Sequence, residues 1–183
     1  MKTYYSKKSQ TGFSLIEVLV SLIILAIGLL GLSSLQLTAL QRNTSAYNRS
    51  IATALAYDIA DRMRANKVAA DAGSYITGTG DGPTAGTCFQ TACDGVTLAA
   101  FDLSDWKCQL GSHNADAACN GRLQGDLPEG VGQITRNGTV FTITVMWDDE
   151  RTGNLGTACS GDPQVDLTCF SVDFQPTSPA SLL

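Results

Sequence analysis

Glu17 stands inside an apolar run, Gly12-Phe13-Ser14-Leu15-Ile16-Glu17-Val18-Leu19-Val20, that stays greasy to about Leu37. A carboxylate at membrane depth costs a few kcal/mol and is seldom kept without a partner. The chemistry such a residue offers is pairing with a cation. Six cysteines form a second able set: Cys88, Cys93, Cys108, Cys119, Cys159 and Cys169, all after the apolar segment. They could cross-link one another or hold a metal. The remaining candidates are His113, the only histidine, and the acidic run Asp148-Asp149-Glu150.

Zinc sites draw on closely spaced cysteines and histidines, whereas this chain has no C-x-x-C pair and a single histidine. An even set of cysteines on one side of a membrane helix points instead to disulfides in an oxidising compartment. Many connectivities are open, and proximity favours Cys88–Cys93, Cys108–Cys119 and Cys159–Cys169. Hydrolysis needs a base beside a nucleophile, and His113 lies in a polar loop flanked by cysteines. Asp148-Asp149-Glu150 lacks the alternating spacing of a calcium loop and is expected as a solvated turn after a strand. Gly78-Thr79-Gly80-Asp81-Gly82 follows no strand and opens no helix, unlike a phosphate cradle. No enzyme activity, cofactor or metal is expected.

The element that must position Glu17 is a helix. From Val18 to Gln41 no residue is charged, enough to cross a hydrocarbon core of about 30 Å. A secretory signal is shorter and ends at a small-residue cleavage site. Lys2, Lys7 and Lys8 precede the run with no acid among them, so that end stays in the cytoplasm and the rest crosses. Gly28 and Gly31 make a small-residue patch, suited to close helix approach or merely tolerated there. Beyond the span, Tyr47, Ile51, Leu55, Ile59 and Met63 recur every four residues, with Ala46, Ala52, Ala54, Ala56 and Ala60 filling in. This predicts an amphipathic continuation. With no proline before Pro83, one helix from about Phe13 to Asn66 would run roughly 80 Å.

The outer part reads as α+β. Gly73 to Gly95 is loop, pinned by Cys88 and Cys93. Leu98 to Leu110 predicts a short helix burying Leu98, Phe101, Trp106 and Leu110. Thr139 to Trp147 alternates in the manner of a half-buried strand, with Phe141, Ile143, Val145 and Trp147 on one face. Asn137-Gly138 signals a hairpin turn back to about Val131–Arg136. A third strand is expected across Val165–Phe174, where the apolar parity switches at Cys169. A bulge or an outward-turned Cys169 would account for that.

The basic leader, Gly12, Phe13 and Glu17 together resemble the class III leader of type IV prepilins and pseudopilins. The resemblance implies cleavage by a prepilin peptidase between Gly12 and Phe13, N-methylation of Phe13, and use of Glu17 in assembly. Ala56 to Asn66, Asp102-Leu103-Ser104-Asp105-Trp106 and Leu127-Pro128-Glu129-Gly130 resemble segments of PilV-type minor pilins. The fold so implied is pilin-like: a long amino-terminal helix, its first half transmembrane, packed on a small antiparallel, disulfide-stapled sheet. Its divisions would be a leader over 1–12, a filament-core half over 13–37, an amphipathic half over 38–66 and an extracytoplasmic domain over 67–183. The implied function is that of a minor pilin in type IV pilus assembly and priming, with a place near the filament tip, supporting adhesion and twitching motility. Implied partners are other major and minor pilins, the prepilin peptidase, the inner-membrane assembly platform, and lipid before assembly. The implied location is the bacterial inner membrane, outer domain periplasmic, and then the pilus. A type II secretion pseudopilin and a membrane-anchored binding module that never polymerises are the rivals. Removing the three leader lysines from a formal charge of −5 leaves −8, which argues against nucleic acid as a direct partner.

Overall fold

A segment that is apolar on every side has its backbone satisfied most simply within itself, and residues 15–65 do this as one 51-residue helix, α1 (Leu15–Ala65). The computed structural model describes residues 12–84, 88, 92–153 and 156–176, so Lys2, Lys7 and Lys8 lie outside the described residues. The chain divides into two units, Met1–Thr44 and Ser45–Leu183, and the boundary falls within α1. In the first unit every described residue is exposed. The helix is long and apolar enough to cross a membrane.

In the second unit α1 buries Asn48, Ala52, Leu55, Ala56, Ile59, Ala60 and Met63. The expected stripe is corrected at its start, because Ala46, Tyr47 and Ala54 are exposed. A strict four-residue step overshoots a helical turn by about 40°, so by Tyr47 the row starting at Met63 has rotated to the far side. The buried face follows mixed steps of three and four instead. A short helix, α2 (Lys67–Asp71), comes directly after, and α3 spans Gly95–Leu110. This α3 begins before the expected Leu98 because Asp94 caps it, accepting the Thr97 amide at 2.7 Å. Trp106 and Leu110 are buried in it as expected, but Leu98 and Phe101 are only half-buried. Their place is taken by Ala99, Asp102, Ser104, Lys107 and Cys108.

Three strands, β1 (Val131–Asn137), β2 (Val140–Trp147) and β3 (Thr168–Phe174), form an antiparallel sheet in the order β1-β2-β3. Asn137 pairs with Val140, so the turn residues are Gly138 and Thr139, one position later than expected. Only the glycine takes positive φ, at 62°, as a turn with glycine at its first central position requires. The register of β2 with β3 runs without interruption from Trp147–Thr168 to Phe141–Phe174. There is no bulge; Cys169 stands opposite Met146, on the face away from Phe170. Thr144 and Met146 are buried too, so β2 is covered on both faces rather than half-buried.

The core joins Leu55, Ile59 and Met63 of α1, Trp106 and Leu110 of α3, and Ile134, Phe141, Ile143, Val145 and Trp147 of the sheet. The arrangement is α+β, a helix packed on a three-stranded antiparallel sheet.

Candidate functional site

The start of α1 and the residues just ahead of it carry the candidate assembly residues. The Ser14 carbonyl accepts the Glu17 amide at 3.0 Å and the Val18 amide at 3.3 Å, which opens the helix. Glu17 lies in that first turn, where the positive end of the helix dipole favours an acid. Its side chain is exposed, and so are Gly12 and Phe13, the latter 84%. A Cβ added at Gly12 would meet nothing within 4 Å, so packing here does not demand glycine. The same holds at Gly28 and Gly31. The helix starts at Leu15 rather than at the expected Phe13, so Phe13 stands two residues ahead of α1 and four positions before Glu17. What this end can offer chemically is one carboxylate on an apolar, unburied surface.

The three segments singled out further along the chain meet in the second unit. Arg62 near the end of α1 reaches Asp58 at 2.8 Å, Asp102 at 3.4 Å and Asp105 at 2.9 Å. Burial pulls its affinity for a proton down, but the charges of Asp58 and Asp105 outweigh that and raise it. Tyr75, fully buried, donates to Asp102 at 2.6 Å and accepts from Asn66 at 3.2 Å. Its hydroxyl is held well above the usual tyrosine range by burial and by the bond to Asp102. Trp106 donates to the Leu55 carbonyl at 3.0 Å. The Leu127–Gly130 turn closes with the Gly130 amide on Leu127, and Asp148 donates its amide to Pro128 at 2.8 Å. Asp102, Asp105 and Trp106 are thus the residues that dock α3 on α1.

Sequence reasoning missed Tyr75 and Lys107. Lys107 is buried, and its Nζ donates to the carbonyls of Gly78 and Gly132. Burial lowers its pKa to about 8, against the opposing pull of Asp81. The spacing Leu103, Lys107, Leu110 places it on the inward face and could have disclosed it. Tyr75 had no such signal, since it lies outside any periodic element.

The six cysteines pair as Cys88–Cys93, Cys108–Cys119 and Cys159–Cys169, with Cα–Cα distances of 5.7, 5.5 and 5.6 Å. His113 is half-buried in the loop after α3, its carbonyl accepting the Asp116 amide. The acidic run is not a solvated turn throughout: Glu150 is exposed, Asp149 half-buried and Asp148 buried. Asp149 accepts from Trp147 at 2.9 Å and Asn48 at 3.1 Å. Burial pushes its pKa up, but hydrogen bonds from Ser45, Trp147 and Asn48 prevail and hold it below the ordinary value. That contact explains why Asn48 is buried on an otherwise apolar face.

Residues 7–33 match the prokaryotic N-terminal methylation motif, and residues 34–104 match the family described as type IV pilin Tt1218. No curated protein and no solved structure matches the chain. The second match covers the end of α1 and most of α3, the two helices joined by Arg62 and Trp106. A methylation motif continued without a gap by a pilin domain makes this chain a type IV pilin, a member of a structural rather than enzymatic family.

Proposed function

We propose that this pilin is a minor pilin that helps prime type IV pilus assembly and enters the filament near its tip. Prepilin peptidase cuts between Gly12 and Phe13, and the Phe13 amine is then methylated. The leader is 1–12, the filament-core half of the helix 13–37, the amphipathic half 38–66 and the outer domain 67–183. Before assembly the amino terminus is cytoplasmic, the helix lies in inner-membrane lipid and the outer domain is periplasmic. Other major and minor pilins and the assembly platform are the partners; adhesion and twitching motility follow from the pilus.

The observation that carries this proposal is Glu17, an exposed acid in the first turn of a helix whose first unit buries nothing. In lipid an unpaired carboxylate is costly, and a matched cation removes much of that cost. The amine created at Phe13 has an unperturbed pKa near 7.7–8.0. Pairing Glu17 with the amine of a neighbouring copy or a different pilin sets an axial step, and such head-to-tail contacts build an open filament. The likeness of residues 56–66, 102–106 and 127–130 to PilV-type segments supports the minor role.

The test is incorporation of Glu17→Val into sheared pili, with amino-terminal sequencing of the wild-type protein. Incorporation should fall at least about tenfold, the worth of one modest ion pair. Normal incorporation removes the carboxylate from the mechanism, and a mature start other than Phe13 removes the processing. Wild-type pilus numbers in a deletion strain would overturn the priming role.

A further inference from the structure

The acidic run after β2 contains one residue that the fold leaves unsatisfied. Asp148 is 1% exposed. Its Oδ2 accepts the Gly153 amide at 2.7 Å, while its Oδ1 is shut from solvent and has no hydrogen-bond donor. A buried acceptor without a donor carries its desolvation cost uncompensated. For a carboxylate the common remedy is a cation. The backbone amide of Asp148 is tied to Pro128, which holds the residue against the Leu127–Gly130 turn.

Asp148 lies between two cavities of about 370 and 240 Å³, and Glu129 lines both with it. The larger is completed by Asp126, Pro128, Arg151 and Gly153. Its charges are three acids against one arginine. Glu129 and Arg151 both sit at positive φ, 51° and 55°, a region that residues other than glycine seldom adopt. Backbone strain of this kind gathers at ligand clamps. Among the described residues no three histidine, cysteine or carboxylate side chains form a metal-holding group. A cage of three such side chains, carboxylates included, is therefore not on offer. Calcium differs, since it completes a flexible shell with backbone carbonyls and water around few carboxylates.

We propose that Asp148 anchors a calcium ion between the Asp126–Gly130 and Asp148–Gly153 segments, with Glu129 as the second carboxylate. The ion would supply the missing partner of Oδ1 and clamp the turn after the disulfide-bonded region to the loop after β2. The site is not a contiguous calcium loop, which is why the acidic run lacks that spacing. This inference does not depend on the role in pilus priming.

The experiment uses the full mature chain in detergent micelles, stripped with EDTA and titrated with calcium chloride. Calcium in excess should raise the melting temperature by about 4 °C or more. Terbium should bind competitively and luminesce on excitation of Trp147, the neighbouring residue. Asp148→Asn should abolish both responses, and Glu129→Gln, at an exposed position, should weaken them. In EDTA, Asp148→Asn should melt no lower than wild type, since it removes an uncompensated charge and can still accept from Gly153. That outcome separates lost binding from failed folding. No calcium response in wild type would overturn the proposal. So would an equal response to magnesium, or one that survives both substitutions.

Discussion

The indole nitrogen of Trp106 lies 3.0 Å from the carbonyl oxygen of Leu55, and the ring is wholly buried. This bond joins α3 to α1 at the centre of the core. Trp106→Ala should destabilise the protein by about 3–5 kcal/mol, as large core truncations do. Trp106→Phe keeps most of the bulk and should cost about 1–2 kcal/mol, chiefly the lost hydrogen bond and the smaller ring. Urea denaturation in micelles, followed by far-ultraviolet circular dichroism, would measure both. Equal costs would mean that the hydrogen bond, not the volume, dominates. Gly132 of β1 fits beneath the same ring: an added Cβ would stand 2.4 Å from Trp106 Cη2 and 2.8 Å from Leu110 Cδ1. Gly132→Ala should cost about 1–3 kcal/mol by overpacking. The cost should shrink in the Trp106→Phe background, because the two sites share one space. Additive costs would remove the steric explanation.

Two ion pairs near the end of α1, Asp58–Arg62 and Asp61–Arg64, should differ sharply in worth. Arg62 is enclosed by Asp58, Asp102 and Asp105, and the side chains of Asp102 and Asp105 are only 10% and 17% exposed. Arg62→Met would leave those carboxylates short of a cation and should cost about 2–4 kcal/mol. Arg64 pairs with Asp61, which is 73% exposed, and lies over the Phe174 ring at 5.3 Å. Arg64→Met should cost under about 1 kcal/mol. Denaturation of the two variants side by side decides the matter; equal losses would mean that the Arg62 cluster is solvated.

That contrast marks what could be seen before the fold. Glu17, the long helix and the β2 alternation announce themselves because each is a periodic pattern or a break in one. The cysteine pairs are close in sequence, so proximity alone suffices for them. Asp58 and Arg62 stand four positions apart on one helix, but Asp102 and Asp105 come to Arg62 from about forty residues away. Only tertiary packing reveals that the pair is a cluster. The same holds for Asn48 with Asp149, Tyr75 with Asp102, and the two carbonyls that hold Lys107. Each is a polar residue on a buried face, satisfied by a partner with no fixed sequence offset. The hairpin was displaced by one residue because the glycine, not the asparagine, takes the positive φ.

Lys107 gives the protein a pH dependence of unusual sign. Its folded pKa is about 8, below the ordinary 10.5, because burial penalises the ammonium. Between those values the unfolded chain binds the proton more tightly, so stability rises with pH across that window. Below about pH 8 both states hold the proton and the full cost of burying the charge is present. The carbonyls of Gly78 and Gly132 offset part of that cost. Tyr75 acts in the opposite sense: its raised pKa keeps the proton on the folded form, so stability falls as pH rises past its unfolded value of 10.0. Comparison with Lys107→Met cancels the tyrosine, which both proteins share. Relative to that variant, wild type should gain up to about 1.4 kcal/mol per pH unit between pH 8 and 10, with no change between pH 6 and 7.5. Urea midpoints taken across this range would show it. A flat difference would mean that the ammonium is solvated in the folded protein and that its two carbonyl contacts are transient.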